Sequence, residues 1–176
     1  SQAGALNTAN NLAAFGANCL DANTSGLDNT GIGYASLSAN QTSSGNTAVG
    51  SQALLSSTSA SNTAVGYCAG DALTIGGNNT AVGYDAMGAN VEGSHNVAVG
   101  LAAMRTGNSE HNTVVGSAAG YNMGASGGYA TLIGREAGHN VTTGAYNTLV
   151  GYQAGFQFDT GHSNAVLGAF AMDLNE

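Results

Sequence analysis

Apolar and polar residues alternate along this chain in a unit that returns every 16 to 18 residues. One copy, Asn79 to Met87, reads Asn-Thr-Ala-Val-Gly-Tyr-Asp-Ala-Met. Alternation with period two is typical of a strand whose successive side chains point to opposite faces. The Gly-, Asn- and Ser-rich residues between copies are typical of turns. The pattern therefore predicts short strands separated by turns.

One glycine, which we call the cassette glycine, sets the register of every copy. It stands at Gly16, Gly33, Gly50, Gly66, Gly83, Gly100, Gly116, Gly134, Gly151 and Gly168. The residue before it is always large and apolar, from Phe15 to Leu167, and the third residue after it is always small. Self-similarity at a fixed period is typical of a repeat architecture in which each unit packs on its neighbours.

Asparagine lies four residues before the cassette glycine in eight copies, and Leu12 and Ala130 replace it in the other two. The row is Asn29, Asn46, Asn62, Asn79, Asn96, Asn112, Asn147 and Asn164. Stacked asparagines in parallel β arrays hydrogen-bond amide to amide. We therefore predict an asparagine ladder, beside a glycine row that holds two walls close together.

A repeat of two short extended segments and two turns is one rung of a β-solenoid. We predict an all-β fold, a parallel β-solenoid or β-roll of about ten rungs with a spacing of about 4.8 Å. The valine and isoleucine row before the cassette glycine is predicted to fill the core. The residue before that row grows from Ala48 to Leu132, so we expect the core or an interface to widen toward the C-terminus.

Residues 1–176 are interpreted as one repeat domain, with a partial coil over 1–11, ten rungs over 12–172 and the start of a connector over 173–176. Because Gln2-Ala3-Gly4 matches the end of a cassette, we expect the chain to be a fragment of a longer fibre.

Composition excludes several function classes. Only two residues are Lys or Arg against ten Asp or Glu, and the net charge is -8. Phosphate contacts depend on Lys and Arg, so we predict no nucleic-acid partner. No apolar run has the length of a membrane span, so we predict no membrane insertion. Cys19 and Cys68 lie three coils apart, beyond the reach of a disulfide.

Each rung supplies few apolar side chains. Ordering its backbone costs more than one or two buried apolar residues return. Packing several chains around a common axis would bury a second face and protect sheet edges. We therefore predict a homo-oligomer, whose number the spacing leaves open.

Candidate chemistry is sparse. His95, His111, His139 and His162 lie in connectors, where they either bind a metal or sense pH or are solvated turn residues. The Asp-rich calcium nonapeptide of other β-rolls is absent, and nothing in the sequence places Ser, His and Asp as a triad. We predict no enzyme, no cofactor and no metal site.

Four tyrosines directly follow a cassette glycine: Tyr34, Tyr67, Tyr84 and Tyr152. An aromatic stripe can stack on sugars or on a protein receptor, and it can equally pack between subunits or cover a turn. Smaller residues such as Ser51 and Ser117 interrupt the row. These four positions are the candidates for facing a partner, with the structural alternative left open.

The run Asn-Thr-Ala-Val-Gly, at 46–50, 62–66 and 79–83, resembles the head repeat of trimeric autotransporter adhesins of the YadA type. It is still more similar to the Asn-Thr-Ala-Val-Gly-Tyr-x-Ala-Leu arrays of phage tail-fibre-like proteins. The resemblance covers essentially the whole chain and implies a left-handed β-roll, three copies of which associate as a homotrimer. The repeat is longer than that of the adhesin heads, which favours a phage fibre.

These observations predict a structural and adhesive fibre segment, most simply a phage tail fibre or spike that supports attachment to a host-surface glycan or protein. It would lie on the virion, or outside or on the surface of a cell. The alternatives are a bacterial trimeric adhesin head, a self-assembling extracellular filament and an ice-binding β-solenoid. Ice binding is considered because threonines form one rank: Thr30, Thr47, Thr63, Thr80, Thr113, Thr131 and Thr148.

Overall fold

The computed structural model describes residues 11–173, which form a parallel β-solenoid without helices. Ten three-residue strands, one per rung, form a single sheet in sequence order. They are β1 (Ala13–Phe15), β2 (Thr30–Ile32), β3 (Thr47–Val49), β4 (Thr63–Val65), β5 (Thr80–Val82), β6 (Val97–Val99), β7 (Thr113–Val115), β8 (Thr131–Ile133), β9 (Thr148–Val150) and β10 (Ala165–Leu167). The predicted fold class is confirmed. Most of the predicted partial coil over 1–11 and of the connector over 173–176 lies outside the described residues.

The pairing register places equivalent residues above one another. Residues 47–49 pair in parallel with 63–65, and these pair with 80–82, position for position. The ladder continues beyond the strands, because each cassette glycine from Gly33 to Gly168 donates its amide to the preceding rung; Gly83 N lies 2.8 Å from Val65 O. Rows of like residues therefore run along the axis with the strand spacing of about 4.8 Å.

The turn after each cassette glycine uses left-handed backbone at its second and fourth positions. In rung 3 these are Gln52 (φ 61°) and Leu54 (φ 50°). The amide of Gln52 donates to Tyr34 O in the preceding rung at 2.8 Å, and that of Leu54 donates to Ala69 O in the following rung at 3.0 Å. Hydrogen bonds therefore tie each turn to both of its neighbours.

The core is not filled by the valine and isoleucine row, so that prediction is wrong. The middle residue of each strand points inward, and Ala48 and Ala64 are fully buried. Ile32 and Ile133, at strand ends, remain 42% and 40% exposed. The physical reason is the period of the strand, which puts threonine and valine on one outer face and the small residue between them inside.

The wall opposite the strands is built in two ways, which define two types of rung. Leucine-type rungs carry a large residue at the fourth position after the cassette glycine: Leu20, Leu37, Leu54, Met87, Met104 and Met172. Glycine-type rungs carry Gly70, Gly120, Gly138 or Gly155 there. The seventh position changes in the opposite sense. It is Asn23, Asn40, Ser57, Asn90 or Gly107 in leucine-type rungs and Leu73, Met123, Val141 or Phe158 in glycine-type rungs.

The fourth and seventh positions share one interior space. A Cβ added to Gly70 would lie 2.9 Å from Leu73 Cδ1, closer than carbon atoms can approach. The larger strand-centre residues toward the C-terminus use the same space, because a Cβ on Gly138 would lie 2.9 Å from Leu132 Cδ2 and 3.1 Å from Leu149 Cδ1. Both leucines are fully buried, so the added volume is taken up inside the core.

The asparagine side chains join the rungs mainly by hydrogen bonds to backbone groups. Asn62 Oδ1 accepts the backbone amide of Asn79 at 2.9 Å, and Asn79 Nδ2 donates to Gly93 O in its connector at 2.8 Å. Bonds between side-chain amides, the predicted geometry, join Asn96 to Asn79 at 3.2 Å and Asn112 to Asn96 at 3.0 Å. Each side chain thus closes its own connector and holds the next rung.

The cassette glycines are needed because the backbones of successive rungs touch there. A Cβ on Gly83 would lie 2.4 Å from Gly100 O, and one on Gly134 would lie 2.3 Å from Gly151 O. Gly168 differs, since the nearest atom to its added Cβ is Ala171 Cβ at 3.9 Å. Within the described part of the chain, no helix is long and apolar enough to cross a membrane.

Candidate binding surfaces

The outer face of the sheet is a regular two-rank surface. Threonine forms one rank, in which Val97 replaces it in β6, and valine or isoleucine forms the other; the register keeps both straight from β2 to β9. In the valine and isoleucine rank, Ile32, Val65 and Ile133 are 42%, 37% and 40% exposed. Apolar side chains that stand in a continuous row on a flat face are typical of an interaction surface. This face offers shape and apolar contact, without a charged residue in its strands.

The four predicted tyrosine positions are all solvent-exposed, but they do not form one stripe. Tyr67 stacks on Tyr84 with ring centroids 5.3 Å apart, whereas Tyr34 has Ala17 and Ser51 at the equivalent positions of its neighbours. Tyr152 lies under the Arg135 guanidinium, 5.5 Å from ring centroid to Cζ. The row therefore presents one tyrosine pair, one isolated tyrosine and one tyrosine–arginine contact.

Beside Tyr152, a small polar group is linked across two rungs. Glu136 accepts hydrogen bonds from Gln153 at 2.6 Å and from Arg135 at 2.8 Å. The Gln153 bond is the largest cause that lowers the pKa of the Glu136 carboxyl, followed by the Arg135 bond and charge against the opposing effect of burial. Glu136 and Arg135 thus neutralise one another on the surface.

Two of the four histidines belong to one row of stacked rings along the axis. Directly before the asparagine row, His95, His111, Tyr129 and Tyr146 stack ring on ring in successive rungs, with centroids 4.9, 4.9 and 5.0 Å apart. All four backbones are left-handed, with φ between 58° and 61°. We call this the aromatic column. The repeat spacing brings the rings to stacking distance without further adjustment.

The other two histidines lie elsewhere. His139 belongs to a second stack, between Tyr121 at 5.2 Å and Phe156 at 4.8 Å. The Arg105 guanidinium extends this stack, 5.8 Å from the Tyr121 centroid, while its Nε pairs with Asp85. His162 accepts the amide of Ala145 at 3.1 Å and joins neither stack. The histidines therefore do not converge on one point.

A groove of about 500 Å³ opens on the connector side, next to the aromatic column. One wall is formed by Glu92, Asn108 and Ser126, which occupy equivalent connector positions. The other wall includes Glu110 and the rings of Tyr129 and Tyr146, while Ile75, Ala125, Gly128 and Ala145 complete the lining. The volume lies within the range of small-molecule sites, about 300–1,000 Å³.

Metal-ligating chemistry is thinly spread. Over residues 11–173, no group of three or more His, Cys, Asp or Glu side chains is placed to hold a metal ion. Cys19 is buried, Cys68 is half-buried, and both are free thiols. Burial raises the pKa of the Asp71 carboxyl, to which the charge of Asp85 adds, and Asp71 Oδ1 has no hydrogen-bond partner.

The aromatic column and the groove were not predicted from the sequence. The signal was present, because rings stand directly before the asparagine row in four consecutive rungs, 95, 111, 129 and 146. Two are histidine and two are tyrosine, so a search for one residue type does not find the row. Comparison of the chain with protein-family models, curated proteins and solved structures finds no match.

Proposed function

We propose that this protein is a structural and adhesive segment of a fibre, a phage tail fibre or a related trimeric surface fibre that holds a binding surface at a distance. The main support is the outward valine and isoleucine rank on a sheet that is hydrogen-bonded without interruption from β1 to β10. A flat β face with exposed apolar side chains favours burial against another copy. Homotrimer formation would place three such faces around one axis.

The rod geometry suits attachment. Ten rungs extend the sheet over roughly 48 Å. Adjacent rungs are joined through their strands and turns, and the eight asparagines add further bonds between rungs. Several copies on one rigid rod raise the effective concentration of weak binding sites at a target surface. A place on the virion, or outside or on the surface of a cell, follows from this function. An adhesin head or an end-to-end filament would use the same face and ladder.

Light scattering coupled to size-exclusion chromatography tests the assembly. We expect a mass of three chains, and electron microscopy of that species should show a short rod. Val65→Lys, which puts a charge on the sheet face, should shift the mass toward one chain. Val91→Lys is a matched control, because Val91 has the same 37% exposure but lies in a connector. A wild-type monomer at high concentration would contradict the proposal.

Ice binding is a second candidate, favoured by the finding that the valine rank shares the outer face with the threonine rank. A flat face with two straight ranks of methyl-bearing side chains is a regular surface in both directions. Thermal hysteresis separates the two functions. An adhesive fibre is expected to show none, whereas an ice-binding solenoid should show it and lose it in Val65→Lys but not in Val91→Lys.

A further inference from the structure

The groove beside the aromatic column exists because two adjacent connectors differ in length. Gly100 and Gly116 are 16 residues apart, and Gly116 and Gly134 are 18 apart. Asn108 and Glu110 flank the buried Ser109 in the short connector. Ser126 and Gly128 flank a buried glycine in the long one. The small buried residues form the bottom of the groove, which has one wall on each side; we call this part of the groove the trough.

Hydrogen-bonding groups in the trough are unused. The carboxylates of Glu92 and Glu110 have no ion-pair or side-chain hydrogen-bond partner among residues 11–173. Asn108 Oδ1 accepts the backbone amides of Val91 at 2.7 Å and Glu92 at 3.3 Å, which fixes the side chain. Its Nδ2 makes no hydrogen bond within the same part of the chain. The trough thus presents two carboxylates as acceptors together with one donor, Asn108 Nδ2, that is held in place.

Charge limits what can occupy the trough. Its lining contains two carboxylates and no cation, while Arg105 and Arg135 are paired with Asp85 and Glu136 away from it. Anionic ligands are therefore disfavoured. An ammonium or guanidinium group only donates hydrogen bonds, so it would satisfy the carboxylates and leave Asn108 Nδ2 without an acceptor. Hydroxyl groups both donate and accept, and they match the whole set.

The tyrosines supply the apolar part of the site. Tyr129 and Tyr146 are 54% and 60% exposed at the edge of the groove. Tyr146 ends the aromatic column, because Ser163 takes the equivalent position in the next rung and leaves one ring face without an aromatic neighbour. That face is turned away from Tyr129, and Tyr146 lies two rungs, about 10 Å, beyond Glu110. A sugar ring that packs its C–H face there therefore reaches the hydroxyl-binding groups through further sugar units along the trough.

We infer that the trough between Glu92, Asn108, Glu110 and Tyr146 binds a neutral oligosaccharide. Hydroxyl groups donate to the two carboxylates and accept from Asn108 Nδ2, while one sugar ring packs on Tyr146. This inference rests on the adhesive part of the proposed function and gives its target a chemical class. It does not depend on the sheet face, which carries assembly.

Saturation-transfer NMR and titration calorimetry test it with three neutral hexasaccharides, chitohexaose, cellohexaose and maltohexaose, and with the cationic chitosan hexamer. At least one neutral hexamer should bind. Asn108→Asp keeps the oxygen that holds the backbone amides and removes the donor, so it should weaken binding about tenfold, as should Glu110→Gln. Tyr146→Ala should also weaken it about tenfold. Circular dichroism melting verifies that the variants are folded.

Phe170→Ala is the matched control, since Phe170 is an aromatic residue with 57% exposure that lies outside the groove lining, and it should leave the affinity unchanged. Val65→Lys should also bind as the wild type does, which separates this site from assembly. Binding only to the chitosan hexamer would overturn the inference, as would no binding to any neutral hexamer. Equal losses in Phe170→Ala and Tyr146→Ala would overturn it too. Chemical-shift changes in the wild type that map away from Tyr146 would do the same.

Discussion

Leucine-type and glycine-type rungs fill the same interior from different ends of one turn. In rung 3, Leu54 points inward from the fourth position and Ser57 stands at the seventh. In rung 4 the order is reversed, with Gly70 at the fourth position and Leu73 at the seventh. The backbone path is the same in both, including the left-handed residue at the fourth position. Each rung therefore fills the same interior volume with one large side chain, which comes from the fourth position in some rungs and from the seventh in others.

Each solution has its own cost. Leucine-type rungs hold a large side chain in left-handed backbone, Leu54 at φ 50°, which costs on the order of 1 kcal/mol. Glycine-type rungs avoid this strain because glycine adopts the conformation freely. Leucine-type rungs also leave room for buried polar groups, and Asn40 Nδ2 donates to Asn23 Oδ1 and to Ser43 O, both at 3.0 Å. Leucine-type rungs thus combine backbone strain in the turn with additional hydrogen bonds in the connector.

The largest expected effect concerns the cassette glycines, which both rung types need equally. Gly83→Ala in a leucine-type rung and Gly134→Ala in a glycine-type rung should each cost above about 4 kcal/mol of unfolding free energy. Both place a Cβ less than 2.5 Å from the next rung's carbonyl oxygen. Gly168→Ala keeps a similar φ but has open space, so it should cost only about 1–3 kcal/mol.

Urea denaturation followed by circular dichroism measures the three variants. Unequal costs for Gly83→Ala and Gly134→Ala would show that the two rung types differ in their glycine wall as well as in their core. An equal cost for Gly168→Ala would show that backbone conformation, and not the close approach of rungs, makes the glycines necessary.

The position of this glycine wall could be predicted from the sequence, because one residue type recurs in every rung. The identity of the core could not. Hydrophobicity alone assigns Val65 to the interior, whereas strand alternation puts it on the same face as Thr63 and leaves Ala64 inside. The choice between the two faces depends on the opposite wall, where Leu54 and Leu73 leave room only for alanine. Leu54 is at the fourth position of its rung and Leu73 at the seventh. A comparison of equivalent positions between rungs therefore does not reveal that the two leucines fill the same space.

The candidate site could also be predicted from the sequence only in part. Exposure of Tyr34 and Tyr84 could be predicted from their place after the strand. The groove could not, because it needs the path of two connectors of unequal length and the direction of Asn108. Connector paths are set by hydrogen bonds such as Asn96 Nδ2 to Ser109 O, 2.9 Å, which join residues 13 apart in the sequence.

Converting one rung type into the other tests the shared volume directly. Leu54→Gly alone should cost about 2–5 kcal/mol, since it removes a fully buried side chain and leaves a cavity. Adding Ser57→Leu makes rung 3 resemble rung 4 and should recover most of that loss. Ser57 is a suitable partner because, among residues 11–173, its hydroxyl has a single hydrogen-bond contact and that contact is long, 3.5 Å to Ser59 Oγ. Thermal and urea unfolding of both single variants and the double variant give the coupling energy.

Coupling below about 0.5 kcal/mol would mean that the fourth and seventh positions act independently. The idea of one shared volume would then be lost, although each rung would still be separately packed.

The reverse conversion should succeed in rung 4 and fail in rung 8. Gly70→Leu with Leu73→Ser removes the main obstacle in rung 4, where the strand centre is Ala64, and should cost about 1–2 kcal/mol. Gly138→Leu with Val141→Ser should cost about 3 kcal/mol or more, because Leu132 and Leu149 already occupy the space. Equal unfolding free energies for the two double variants would show that strand-centre size does not set the rung type.

The smallest expected effect distinguishes rung 4 from the other glycine-type rungs. In the other glycine-type rungs, the residue that follows the fourth-position glycine belongs to a ring stack: Tyr121, His139 or Phe156. In rung 4 this residue is the half-buried Asp71. Because burial raises the Asp71 pKa in the folded state, the protonated carboxyl group favours folding at low pH, and this contribution is lost as pH rises through the folded pKa. Asp71→Asn should therefore raise the melting temperature slightly at pH 7, by the equivalent of less than about 1 kcal/mol given solvent screening. The gain should vanish below the pKa of an unfolded aspartate, about 3.9.

Melting curves at pH 3 and pH 7 measure this difference, with Asp159→Asn, an exposed connector carboxyl, as the control. A gain that persists unchanged at pH 3 would assign the effect to packing of the amide instead of to the buried charge.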